Sequence, residues 1–433
     1  MKLILLSFIL LMNIVVIAQN VHRCMTPHAI DFQETLTPGY KALVQESFDN
    51  AKKKGGLLKA DPIYTIPVVV HVVYNTAEQN IPDSVIYDQI KVLTDDYNRW
   101  NADTVNMRAD FEPVKGNPRI RFVLAQIDAQ GNATTGITRT QTAVESFGSF
   151  ALLTGSFADL EKVKSTADGG HDPWDQSRYL NIWVCNMSLP LLGPALLGYA
   201  TPPPGLPNWP TGQTPTGLSD GVVIQFQAFG SNNPVPLQFG QTAFEVAGRT
   251  CVHEVGHYLG LRHIWGDGDC SQEDGIDDTP NADSQSNQDC DVTRNTCTDN
   301  IAGTDLPDMV ENYMDYSAET CQNSWTNGQV QLMHGVLEDD RYDLVHNNPA
   351  VISEEENLHL LVYPNPSAKV ITVRTDITEK MNITLTDVHG KLVYNSTFLN
   401  GFHQIDLDEI AVGVYQLTIS NSEYLNVKRV LKL

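Results

Sequence analysis

The stretch HEVGHYLGLRH, residues 253–263, gathers three histidines and one glutamate into eleven positions. It constrains the fold more than any other feature, because it requires a helix and fixes where that helix stops. Residues four apart share a helix face, so His253 and His257 direct two imidazoles at one point. Glu254 lies beside them, placed to take a proton from a water at that point. Gly260 ends the helix, since glycine adopts the left-handed backbone of a helix C-terminus without steric cost. His263 then swings back as a third ligand. Three protein ligands with one open position is the arrangement of catalytic zinc, whereas structural sites are usually closed by four. A histidine-rich helix without metal accounts for H-E-x-x-H alone, but not for the glycine and third histidine at fixed offsets. The helical pattern is expected to run over 242–261.

The rest of the chain supplies the context. Lys2 precedes an apolar run from Leu3 to Ala18, broken only by Ser7 and Asn13. The run is short for a membrane span and reads as a secretory signal peptide, residues 1–18. Export permits disulfides among the seven cysteines. A net charge of −24 argues against nucleic acid as a partner, which needs basic patches. Residues 19–60 are polar and too few to form a core alone, as in a pro-segment. Lys52, Lys53 and Lys54, followed by two glycines, are expected to form an exposed, cleavable hinge.

Strand patterns follow at IPVVVHVVY (66–74), RIRFVLAQID (119–128), YLNIWVCNM (179–187) and GVVIQF (221–226), with a helical pattern after residue 82 and a proline- and glycine-rich loop over 189–217. Strands and helices followed by a loop-rich half predict an α+β domain over 61–345. Residues 346–357 read as a linker. Over 358–433, short alternating runs closely punctuated by turn residues predict a small β-sandwich.

Joined to ENYMDYS (311–317), the histidine motif resembles the metzincin metalloproteases. That resemblance implies Met314 as a hydrophobic floor below the metal. It also implies Tyr316 as a phenol that contacts the metal or stabilises charge on the reacting carbonyl oxygen. The longer pattern HEVGHYLGLRHIWGDGDC…DDTP…NYMDYS resembles the pappalysin family, whose bacterial members are secreted endopeptidases. The resemblance implies a metzincin-like domain, with a twisted sheet and active-site helix above an irregular lower subdomain. YLNIWV would lie near the sheet edge along which an extended substrate adds as a strand.

The same resemblance pairs Cys270 with Cys297 and Cys290 with Cys321; sequence alone leaves three pairings open. Cys185 and Cys251 read as buried and unpaired. The acidic run GDGDCSQEDGIDDTP (266–280) is first of all a solvated face, but family members hold structural calcium in this region. Asp267, Asp269, Asp274, Asp277 and Asp278 are the candidate ligands. Glu319 stands where relatives carry an acidic residue, aspartate in one of them, in the pocket for the residue after the cut; a carboxylate there selects arginine or lysine. Cys24, preceded by Arg23, resembles a latency cysteine whose thiolate occupies the open metal position; Met25 stands where relatives usually have glycine.

VYPNPS (362–367), GKLVY (390–394), VGVYQL (412–417) and the terminal KRVLKL resemble the sorting domain of the type IX secretion system of Bacteroidetes. That implies engagement of the secretion machinery, passage through periplasm and outer membrane, and a secreted or surface-attached product without a transmembrane segment. The expectation is therefore a secreted zinc endopeptidase made as a zymogen, acting on proteins or peptides. The alternative is a non-catalytic, metal-containing surface adhesin; Glu254 argues against it, because a structural zinc site needs no general base.

Overall fold

The computed structural model describes residues 22–58, 62–148, 157–189, 193–194, 196–203, 219–239, 242–301, 303–346, 361–375, 379–387, 390–399, 401–421 and 425–433. The signal peptide and most of the linker and of the 189–217 loop lie outside the described residues. Two compact units divide at residue 352. No described helix is long and apolar enough to cross a membrane.

The first unit is built on the valine-rich run after residue 64. β-Branched residues suit a pleated, buried surface. Strand β2 (Tyr64–Tyr74) accordingly lies at the heart of a seven-stranded sheet and is buried on both faces. Its neighbours are β3 (Ile120–Leu124) and β4 (Ile137–Gln141) along one side and β5 (Leu180–Cys185) along the other, all parallel to it. Beyond β5 come β7 (Val222–Gln225), then β6 (Leu196–Ala200), antiparallel to β7, then β1 (His22–Cys24). Side chains alternate between faces. Val68, Val70, Ile182 and Ile224 meet the core beneath α3 (Asp83–Asp96) and α4 (Arg249–Tyr258), whereas Val73, Trp183 and Val223 pack with Met25, Ala29 and Phe157 on the other face.

Three expectations need correction. YLNIWV is not near the edge, since β5 is paired on both sides; the strand that receives an added strand is β6. The histidine helix is shorter than 242–261: Gly248, at φ +77°, precedes it, and the helix occupies Arg249–Tyr258. The lysines are not a hinge either. Residues 26–55 form two helices, α1 (Thr26–Leu36) and α2 (Tyr40–Gly55), and Lys52 to Lys54 lie in the last turn of α2. Lys52 Nζ donates to Gly275 O at 2.8 Å and to Asp277 Oδ1 at 2.7 Å.

Helix α2 was not legible because it borrows its core from the domain it covers. Tyr40, Phe48, Ala51 and Gly55 are buried against that domain. Helix α5 (Asn327–Leu337) approaches α2 so closely that a Cβ at Gly335 would stand 1.8 Å from Ala51 O, and one at Gly55 equally near Gln331 O.

Between α4 and Trp325 the described residues form no helix and no strand beyond isolated bridges. Disulfides Cys270–Cys297 and Cys290–Cys321, with Cα atoms 5.5 and 5.9 Å apart, tie this half together in the expected pairing. Cys185 and Cys251 are buried and free.

The second unit consists of antiparallel strands in two sheets, three strands in one and four in the other. Ile371, Val373, Ile383, Leu385, Leu417 and Ile419 fill its core, as expected of a small β-sandwich.

Candidate active site

Both ends of α4 are anchored. At its N-terminus the unpaired N–H groups meet the carboxylate of Glu319, seventy residues further along the chain. Glu319 Oε2 accepts from the amides of Ala247 (2.7 Å) and Arg249 (3.0 Å), and Oε1 accepts from the amide (2.8 Å) and hydroxyl (2.6 Å) of Thr250. An anion is favoured there by both the orphan donors and the helix dipole. Arg249 pairs with Asp96 at 3.1 Å and Asp103 at 2.7 Å and donates to Glu319 O, which ties the helix to α3 and to the lower half. At the C-terminus Gly260 takes φ +92°. The amides of Gly260 and Leu261 bond back to His257 O (2.9 Å) and Gly256 O (3.0 Å), a Schellman turn that carries His263 round to the site.

The three imidazoles converge. Their Nε2 atoms lie 3.1 to 3.2 Å apart. Each Nδ1 faces an acceptor: Tyr313 O at 2.7 Å for His253, Leu261 O at 2.8 Å for His257, and Asp267 Oδ1 at 2.5 Å for His263. With the ring proton on Nδ1, all three Nε2 atoms present lone pairs to one another. Burial and the neighbouring rings hold His253 well below its usual pKa and His257 at about 3, so these two rings are neutral. Three facing lone pairs repel unless a cation lies between them. Tetrahedral zinc ligands at about 2.0–2.1 Å from the ion stand about 3.3 Å apart, close to the spacing found. The donor set fits zinc. Cys24 Sγ lies with them, all four candidate ligand atoms being within 4.8 Å of one another.

Glu254 is fully buried beside this cluster. Its Oε2 accepts from Thr26 Oγ1 at 3.1 Å and from the Cys24 thiol at 3.3 Å, while Oε1 has no hydrogen-bond partner among the described residues. Burial pushes its pKa up to about 8, against the opposing pull of those two bonds and of Arg23. Gly198 on β6 makes the room, since a Cβ there would stand 2.8 Å from Glu254 Cγ. Met314 packs against the helix; a Cβ at Gly256 would come within 2.5 Å of its sulfur. Tyr316 donates to Cys24 O at 3.3 Å, its ring 5.0 Å from that of His263.

Residues 22–26 thread through the cleft. Strand β1 runs parallel to β6, with Cys24 opposite Gly198. Arg23 donates to Ser317 O and, at 3.4 Å, to Gln322 Oε1, and it pairs with Glu319 at 3.7 Å. The Thr26 hydroxyl accepts the amide of Ala200 at 2.9 Å.

The calcium candidates separate. Asp267 is committed to His263, Asp277 to Lys52, and the exposed Asp269 to Ser271. Asp274 and Asp278 each keep a buried oxygen, Oδ2 and Oδ1, with no hydrogen-bond partner among the described residues. Sequence reasoning missed Thr26, Gly198, Arg249 and Gln322, and misread Asp267. Only for Asp267, four residues after His263, was there a local signal: a carboxylate able to orient a metal-binding imidazole.

Three converging imidazoles, an adjoining buried glutamate and a methionine beneath the helix fit a metallopeptidase site of the metzincin type. A family model described as Pregnancy-associated plasma protein-A matches residues 233–338, and one described as a secretion system C-terminal sorting domain matches residues 361–432. Mature mirolysin of Tannerella forsythia, solved in complex with a cleaved peptide, is 40% identical; the match covers 66% of this chain and 96% of that one, with a TM-score of 0.54. A promirolysin mutant from the same organism is 38% identical, covering 72% and 94%, with a TM-score of 0.58. An extracellular metalloprotease of Arthroderma benhamiae is 28% identical over 298 residues, 68% of this chain and 79% of its own length. The chain belongs to the pappalysin family of metallopeptidases. It is a secreted metalloendopeptidase carrying a type IX sorting domain, and the adhesin alternative falls away.

Proposed function

We propose that His253, His257 and His263 hold a catalytic zinc ion, with Glu254 as general base and Tyr316 as oxyanion donor. The observation that carries this reading is the trio of buried Nε2 atoms 3.1 to 3.2 Å apart with the Glu254 carboxylate beside them. Zinc held there supplies Lewis acidity, which acidifies water and polarises a carbonyl oxygen. Glu254 takes the proton of the attacking water and passes it to the leaving amine. The Tyr316 hydroxyl, which donates to Cys24 O while residues 22–26 are in place, turns to the oxygen that gains charge as water adds. The peptide lies along β6, and a basic side chain after the cut meets Glu319.

In this reading residues 19–60 are a pro-segment, 61–345 the catalytic domain, 346–357 a linker and 358–433 the sorting domain. Cys24 keeps the zymogen silent by filling the fourth ligand position as a thiolate. Calcium is held at Asp274 and Asp278, whose buried oxygens call for a cation.

The test is cleavage of a mixed peptide library by the processed enzyme and by Glu254→Ala of equal zinc content. Cuts ahead of arginine and lysine are expected, slowed about 10²- to 10⁴-fold in the variant. Equal rates would remove Glu254 from the chemistry; cuts without regard to basic residues would remove Glu319 from selectivity.

A further inference from the structure

The reading that a basic residue follows the cut leaves open how the pocket tells arginine from lysine, and Arg23 offers a stand-in for the substrate side chain. Its neighbour Cys24 sits among the metal-binding atoms. A substrate cut ahead of arginine likewise places its reacting carbonyl at the metal and the arginine one residue away. The order of the two anchors is reversed. In residues 22–26 the metal anchor follows the arginine, whereas in a substrate it precedes it. The two chains therefore run in opposite directions through the cleft. Because β1 is parallel to β6, a substrate using both anchors lies antiparallel to β6.

Three acceptors surround the Arg23 guanidinium: the Glu319 carboxylate, Ser317 O and Gln322 Oε1. Glu319 stands 3.7 Å away, and its oxygens already take four hydrogen bonds from the start of α4. It contributes charge more than direction. Direction comes from the two neutral oxygens. Gln322 is fully buried, and its Nε2 is committed to Asp315 O at 2.8 Å and Ser317 O at 3.4 Å, which turns Oε1 toward the guanidinium. A planar fork of five N–H groups serves separated acceptors at once; a lysine ammonium is a compact point charge on a flexible stem.

We infer that Gln322 is a specificity-determining residue: with the Ser317 carbonyl, its amide oxygen reads the guanidinium of an arginine after the scissile bond and ranks it above lysine. The processed, zinc-loaded enzyme is tested on one peptide series carrying arginine, Nη-methylated arginine, lysine or leucine after the cut. Methylation keeps the charge and blocks the fork, so it needs no variant that has to fold. The unaltered enzyme is expected to cut arginine fastest and to slow on methylated arginine toward the lysine rate. In Gln322→Met, the arginine-to-lysine ratio of kcat/KM should fall about tenfold or more, the loss of a hydrogen bond to a charged group. Methylated arginine cut as fast as arginine, or an unchanged ratio in a folded Gln322→Met, overturns the inference. Arginine and lysine cut equally, both above leucine, overturns it while leaving the Glu319 reading intact. No preference over leucine brings down both.

Discussion

Asp267 shows how a single side chain can be misassigned by its neighbourhood in sequence. It sits in an acidic run, yet its Oδ1 meets His263 Nδ1 at 2.5 Å, and its backbone takes φ +58°. A carboxylate behind a metal-binding imidazole fixes the tautomer and raises the basicity of the ring. Asp267→Ala is expected to weaken zinc binding about 10- to 100-fold, measured by competition with a chromogenic chelator. Unaltered affinity would leave Asp267 a bystander. The convergence of His253 and His257 was legible because four-residue spacing on a helix is a local rule, and that of His263 because Gly260 marks the turn. Thr26 and Gln322 were not, since each acts on a residue brought near only by the fold.

Among the elements, strands announce themselves better than the helices that cover them. The valine run of β2 predicts burial on both faces wherever it lies, and β5 and β7 follow the same rule. Helix α2 gives a weaker signal, because two of its contact positions are Ala51 and Gly55, chosen for smallness. The contact with α5 has a consequence that can be measured. Gly335→Ala forces a methyl group into the α2 backbone, and the full-length zymogen should lose about 1–3 kcal/mol by denaturant unfolding. The same change in an enzyme freed of α2 should be nearly neutral. A zymogen of undiminished stability would mean that the two helices do not pack as described.

For the whole first unit, cross-links tie the half where regular structure runs out, and the proposed calcium would add to them. Burial raises Asp274 well above the usual carboxylate range and raises Asp278 as well. A carboxyl raised in the folded state favours folding at acid pH, and that contribution is lost as the pH climbs through the raised value. A cation reverses the balance by stabilising the charged form. Calcium at about a hundred times its Kd adds about 2.7 kcal/mol, and the rise in Tm on adding it should be larger near about pH 8 than near about pH 5. Equal shifts at the two pH values, or none, would exclude Asp274 and Asp278 as the site. Texture along the chain predicts a change of unit after residue 345, and two compact units divide at residue 352. The disulfide pairing came by resemblance, because spacing alone does not choose between partners.

Glu319 answers to two demands at once. The carboxylate that faces Arg23 also holds the first turn of the histidine helix with four hydrogen bonds. In the proposed function, taste and skeleton are thus written in one residue. A lineage under pressure to change its diet cannot simply exchange this acid for an apolar side chain without loosening the helix that carries His253 and His257. Its evolutionary freedom lies instead in the residues around the acid, which can be revised while the acid stays.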